Sequence, residues 1–206
     1  MKTILSIFII GALVSAFSTA LYKQNFTKQA EFPPTGWIIT SGGNSWIHTW
    51  VWDQVYQPGN GYARGEIENH AGGLETGWAQ FTSPNHHLDA GQAIHLRFRY
   101  IACYQPDPFF PPVYHFYVYI RLNGTPITTL NIGGSTGWTW YQYDSTQPPL
   151  SQTSDNYSLA FYVYNYSCSD ESSFAYFCVD DLSVELPSKV NNIEPASIGR
   201  MKASYH

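Results

Sequence analysis

The chain has 206 residues, of which only 12% are charged while 17% are aromatic, and its formal net charge is −5. An acidic balance with so few basic side chains excludes the broad positive patch that phosphate backbones and anionic membrane surfaces require, so no nucleic-acid partner is expected. Sixteen Gly, thirteen Pro and sixteen Tyr suit short strands joined by tight turns.

The first stretch, "MKTILSIFIIGALVSAFSTA", carries Lys2, an apolar run from Ile4 to Phe17 and small residues at Ser18 and Ala20. That is the pattern of a secretory signal peptide cleaved after Ala20. The run is shorter than the ~20 residues a membrane span needs, which makes an uncleaved anchor the lesser reading, and no later stretch is apolar enough to span. Residues 1–20 are read as the leader, 21–186 as one domain and 187–206 as a linker and short C-terminal tail. The expected location is secreted or at the cell surface.

After a polar lead-in, "EFPPTGWIIT" gives a Pro-Pro stop and a short strand from Trp37 to Thr40, and "SGGNS" reads as a turn. "WIHTWVW" alternates, which predicts Trp46, His48, Trp50 and Trp52 on one face and Ile47, Thr49 and Val51 on the other. "GYARGEIEN", "GWAQFTSP", "AIHLRFRYIAC", "VYHFYVYIRL", "PITTLNI", "WTWYQY", "YSLAFYVYNY" and "FAYFCVDDLSVEL" follow as strands separated by Gly, Pro, Asn and Asp. Asn123-Gly124, between two of them, is the strongest short-range hairpin signal. About ten strands without a helical period predict an all-β fold, a jelly-roll β-sandwich of two antiparallel sheets.

Three cysteines, Cys103, Cys168 and Cys178, lie in or beside predicted strands. Export permits a disulfide, and the expectation is one bridge from Cys103 to Cys168 or Cys178, with one thiol left over; three reduced thiols are the alternative.

The closing strand "FAYFCVDDLSVEL" places Asp180 and Asp181 side by side in an apolar run. Neighbours on a strand point to opposite faces, and an unpaired buried carboxylate is costly, so the pair demands a bulge, hydrogen-bond donors or a cation.

The order of motifs along the chain resembles the MAM-like jelly rolls, which include the cleaved-adhesin and choice-of-anchor J domains of secreted bacterial proteins. Phe32, Gly36 and Trp37 stand where that pattern opens, Ala79, Ser83 and Pro84 at its Ser-Pro step, Leu96, Phe98 and Tyr100 on its Leu-x-Phe-x-Tyr strand, and Asp180 and Asp181 at its close. The resemblance spans residues 31–186. Phe81 replaces the Leu of the Ser-Pro step, and the glutamate that often precedes the opening strand has no clean counterpart. The resemblance implies that the closing Asp pair sits beside the N-terminal strand, where it binds a structural calcium ion or accepts backbone N–H groups. The calcium donors to look for are Asp180 or Asp181 with Glu31, Asn44 or Asp53, since Ca²⁺ takes 6–8 oxygens.

No catalytic constellation stands out. "GNGYARG" misses dinucleotide-binding spacing by one residue, and no P-loop, nucleophile elbow or His-Glu-x-x-His occurs. Glu66 and Glu68 share a strand face and are read as solvated, because glycosidase pairs usually come from different strands. His86, His87, His95 and His115 fit no compact zinc set, and an exposed loop is favoured for the first two. Trp46, Trp50 and Trp52, with Trp138 and Trp140 and, on the opposite face, Tyr141 and Tyr143, supply flat rings that stack on sugars as well as on core neighbours. Core packing is the commoner fate of any single Trp.

The reading is a non-catalytic binding or adhesion module whose partner is a glycan or a cell-surface protein, with a carbohydrate platform at Trp46, Trp50, Trp52, Trp138 and Trp140. A structural subunit of a surface layer or appendage and a secreted hydrolase are the alternatives.

Overall fold

The computed structural model describes residues 19–70, 75–87, 94–105, 116–144, 156–167 and 173–186. His115, Cys168 and residues 1–18 and 187–206 fall outside them, and with them most of the leader reading and all of the tail reading.

Period-2 alternation builds thirteen strands: β1 (Thr19–Gln24), β2 (Ile38–Gly43), β3 (Ile47–Asp53), β4 (Tyr62–Asn69), β5 (Glu75–Thr82), β6 (His86–His87), β7 (His95–Gln105), β8 (Phe116–Leu122), β9 (Thr125–Ile132), β10 (Thr139–Asp144), β11 (Asn156–Tyr157), β12 (Leu159–Ser167) and β13 (Ser173–Leu186). A six-stranded sheet runs β10-β7-β13-β4-β3, with β1 also paired to β13, and a five-stranded sheet runs β2-β5-β12-β8-β9. Every ladder in both is antiparallel. The all-β sandwich of two antiparallel sheets expected from the alternation is the observed fold.

Inner faces carry the core. Phe98, Phe177 and Ile67 from the six-stranded sheet meet Phe81, Phe161, Val118 and Ile120 from the five-stranded sheet, and all are fully buried. Phe98 and Phe161 meet edge to face across the layers at 5.1 Å. Burying each such side chain is worth about 1.5–3 kcal/mol, so the two sheets are held by area rather than by any one bond.

The motif positions behind the resemblance have physical reasons. Trp37 is buried with its ring 4.1 Å from Phe81, and its Nε1 donates to the Tyr22 hydroxyl at 2.7 Å. Gly36 has φ +80, where L side chains are strained, and a Cβ there would approach Pro84 to 3.1 Å. Ser83 Oγ accepts from the Leu159 N–H at 2.9 Å, tying the Ser-Pro step to β12. At the hairpin, Asn123 (φ 47) and Gly124 (φ 78) are both left-handed, as a two-residue turn between β8 and β9 requires.

Several expectations change. The turn expected at "SGGNS" starts later, because β2 continues through Gly43 in register with Gly77. β1 straddles the boundary drawn after Ala20 between the leader and the polar lead-in, and it pairs with residues 182–186 of β13. Cys103 and Cys178 are free, buried thiols. Cys103 lies opposite Tyr176, so Cys178 is its diagonal neighbour, roughly 7–8 Å away and beyond the ~4.4–6.8 Å Cα reach of a disulfide. The Cys103–Cys178 bridge is therefore not formed, and the Cys168 option lies outside the described residues.

Candidate ligand-binding face

The Asp pair lies where β13 changes partner. On one side β13 follows β7 throughout; on the other it pairs with β4 up to Val179 and with β1 from Leu182. A bulge between Asp180 and Ser183 spans the handover, and Asp181 takes the left-handed φ of 50. The cation that meets the pair is Arg99, directly opposite on β7. Its Nη2 donates to Asp180 Oδ2 at 2.9 Å, and its Nε lies 3.1 Å from Asp181 Oδ2. Asn60 Nδ2 adds a 3.4 Å contact to the fully buried Asp180. Burial pushes the Asp180 carboxyl above the ordinary carboxylate range, against the pull of the Asp181 backbone N–H and of Arg99.

The other expected calcium donors are occupied elsewhere. Asp53 Oδ2 pairs with Arg64 at 2.5 Å while its Oδ1 accepts from the Gln54 and Val55 N–H groups. Glu31 pairs with Lys28 at 2.7 Å, and Asn44 Oδ1 accepts from the Thr76 N–H at 2.8 Å. Among the described residues no group of three His, Cys, Asp or Glu stands together. The five donors do not converge, and a guanidinium holds the place a calcium ion would need, so these residues do not fit the ion.

The predicted Trp face is split. Trp50 points inward, 2% exposed, with its ring 5.2 Å from Phe81, and belongs to the core rather than to a platform. Trp52 turns the same way and its Nε1 donates to the Phe26 carbonyl at 2.7 Å. Trp46, just before β3, is 70% exposed and stacks on His70 at 4.8 Å. Trp138 packs against Tyr62 at 5.5 Å, and Trp140, 45% exposed, lies under the Arg97 guanidinium. Tyr141 and Tyr143 pack against the core on the opposite face of β10, as the alternation predicts.

Glu66 is not solvated. It is buried and pairs with Arg64 at 2.5 Å, while Glu68 takes His70 at 3.0 Å. His86, expected in an exposed loop, is instead in β6 between Tyr22 (4.3 Å) and Tyr157 (5.3 Å), and burial lowers its pKa. His87 is exposed, and His95 pairs with Asp144.

A second aromatic array was not anticipated. On the outer face of the five-stranded sheet, β5 presents Trp78 and Gln80, β12 presents Tyr162 and Tyr164, and β8 presents Tyr117, Tyr119 and Arg121; all are half-buried. Trp78 stacks with Tyr162 at 5.6 Å, Tyr162 meets Tyr119 at 5.7 Å, and Tyr117 lies 6.3 Å from Tyr119 and 6.5 Å from Tyr164. Arg121 lies over Tyr162 at 4.0 Å and donates to Gln80 Oε1 at 3.1 Å, and Gln80 donates to the Thr82 hydroxyl at 3.0 Å. Gly42 on the neighbouring strand leaves room for the indole: a Cβ there would come within 2.9 Å of Trp78 Cζ2. Three adjacent strands at ~4.8 Å spacing carry this row roughly 10 Å across the sheet. Rings supply apolar faces, and the Arg, Gln and Tyr groups supply directional hydrogen bonds beside them.

No protein-family model matches the chain, and no curated protein matches it. Solved structures align with it at low identity. The carbohydrate-binding module TmCBM27, described for specific mannan recognition, is 12% identical with TM-score 0.41, covering 83% of this chain and 99% of its own. TmCBM61, described in complex with β-1,4-galactotriose, is 12% identical with TM-score 0.40, covering 80% of this chain and 99% of its own. A cyclase from Fischerella sp. TAU is 10% identical with TM-score 0.43, covering 84% and 98%. At TM-scores this low the likenesses carry no argument, and the functional reading rests on the residues of the chain itself.

Proposed function

We propose that this chain is an exported, non-catalytic carbohydrate-binding or adhesion module of the MAM-like jelly-roll type, and that the outer face of the five-stranded sheet is its sugar platform. The observation that carries this reading is the row Trp78–Tyr162–Tyr119, flanked by Tyr117 and Tyr164 and laced by Arg121 and Gln80. A row of adjoining, half-buried rings on the outer side of a sheet lies away from the core and offers an apolar ligand face a surface to stack on. A pyranose ring offers an apolar C–H face to such rings and hydroxyls to the polar groups between them. Sidedness supports binding rather than catalysis, since the carboxylates Glu66 and Asp180 are held by arginines on the other sheet.

The test is a glycan array probed with the purified chain, followed by Trp78→Ala and Tyr119→Ala. Both variants should lose retention on the glycans the parent binds while remaining folded, with Tm lowered by no more than about 6 °C, because the ring contacts each removes are worth about 0.5–1.5 kcal/mol. Retention unchanged in both variants would sink the platform.

A further inference from the structure

On the other sheet, one arginine has no acidic partner among the described residues. Among the described residues, Arg64 is paired with Asp53 and Glu66, Arg99 with Asp180, Asp181 and Gln57, and Arg121 with Gln80. Arg97 has no hydrogen-bond acceptor or ion pair among the described residues; its Nε is buried without a hydrogen-bond partner, as are those of Arg64, Arg99 and Arg121. Its guanidinium carbon lies 3.9 Å from the centroid of the Trp140 ring. A guanidinium held over an indole loses little rotamer freedom on binding.

Arg97 borders a cavity of about 460 Å³ lined also by Lys23, Asn25, Trp140, Asp181 and Ser183, with Gln24, Leu182 and Glu185 completing the wall. The two carboxylates in the wall already have cations: Asp181 has Arg99 at 3.1 Å and Glu185 has Lys23 at 3.7 Å. Arg97 is the cation in the wall without a carboxylate partner among the described residues. A planar fork without an acceptor fits a planar carboxylate in two parallel N–H···O bonds, and the 45% exposed Trp140 beside it offers a ring for stacking.

We infer that the outer face of the six-stranded sheet carries a second site, separate from the platform on the other sheet, in which Arg97 binds the carboxylate of an acidic sugar residue stacked on Trp140. Asn25 and Ser183, in the same wall, stand ready for the hydroxyls of the same ring. A uronate is the ligand class, because it joins a carboxylate to a stackable pyranose.

Calorimetric titration of the purified chain with an oligogalacturonate, its fully methyl-esterified form and a short acidic peptide tests this. Oligogalacturonate should bind, the methyl ester should bind at least about tenfold more weakly, and the peptide should not compete with the uronate. Arg97→Gln and Trp140→Ala should each weaken uronate binding about tenfold or more, since charge-assisted pairs and aromatic contacts carry that much. Arg97→Lys should recover only part, while Trp78→Ala should leave uronate binding unchanged even though it removes retention on the other sheet. Melting curves check that the variants fold. Equal binding of ester and acid, uronate binding indifferent to Arg97→Gln in a folded variant, or peptide binding as tight as the uronate would overturn the inference.

Discussion

Replacing Arg99 by Gln leaves the Asp180 carboxylate in place and removes the cation that compensates it. Asp180 is 0% exposed and the Arg99 side chain 22%, so the pair is largely withdrawn from water. Breaking such a pair from one side leaves a buried charge and costs about 3–5 kcal/mol. In a domain of this size each kcal/mol moves Tm by ~2–4 °C, so Arg99→Gln should melt roughly 6–20 °C below the parent at pH 7. Asp181, 37% exposed on its side of the bulge, should tolerate Asn within ~1 kcal/mol. Adding Asp180→Asn to Arg99→Gln removes the stranded charge and should restore a large part of the loss.

The pH dependence has a definite sign. Burial first, with Asp181's charge beside it, raises the native Asp180 carboxyl, while the Asp181 backbone N–H and Arg99 pull it down. A carboxyl raised above its unfolded value of about 4 binds its proton more tightly in the native state, so its contribution to stability is lost as pH rises through the native value. Removing Arg99 raises that value further, and the deficit of the variant should shrink from pH 7 to pH 5. Thermal melts by circular dichroism at both pH values, with and without EDTA and with added calcium, read all of this, and chelator should leave the parent curve unmoved. An Arg99→Gln protein melting within about 2 °C of the parent, or one rescued by calcium, would refute the reasoning.

Trp50→Ala should cost about 3–5 kcal/mol because the ring fills space between Phe81 and Phe161, whereas Trp46→Ala, at an exposed ring, should fall within ~0.5 kcal/mol; urea titration compares them. Cys103 and Cys178 should resist alkylation in the native chain and react after unfolding, since both are buried and burial pushes the Cys178 thiol well above its ordinary value; mass spectrometry counts the adducts. Asn165, fully buried with its Nδ2 donating to the Ser173 hydroxyl at 3.0 Å, should stay unmodified in a glycosylating host although it lies in a sequon; peptide mapping reads occupancy.

Local pattern was enough for the strands and for the Asn123-Gly124 turn, because alternation and left-handed φ are decided by neighbours in sequence. In "HFYVYIRL" the phase itself was informative: Phe116, Val118, Ile120 and Leu122 are buried, which leaves Tyr117, Tyr119 and Arg121 outward. With "GWAQF" and "AFYVYNY", that phase gives three outward aromatic rows, but only the register of β5, β12 and β8 shows that they adjoin. In the Trp-rich β3 alternation alone does not say which face is inward; the inward phase of Trp50 follows from its place opposite Gly65, whose missing side chain makes room for the indole. Arg99 and Asp180 lie 81 positions apart, so nothing local joins them. β1 was hidden because Lys23 and Gln24 break the aromatic alternation, and its pairing is set by the second half of β13 rather than by its own composition.

The most direct measurement for the central claim is a calorimetric titration of the strongest array glycan into the parent chain and into Trp78→Ala. The account predicts binding by the parent, a loss of about tenfold or more in the variant, and a fall in Tm of no more than about 6 °C. Equal affinity in both, or a loss that tracks a fall in Tm, would contradict a sugar platform on the five-stranded sheet.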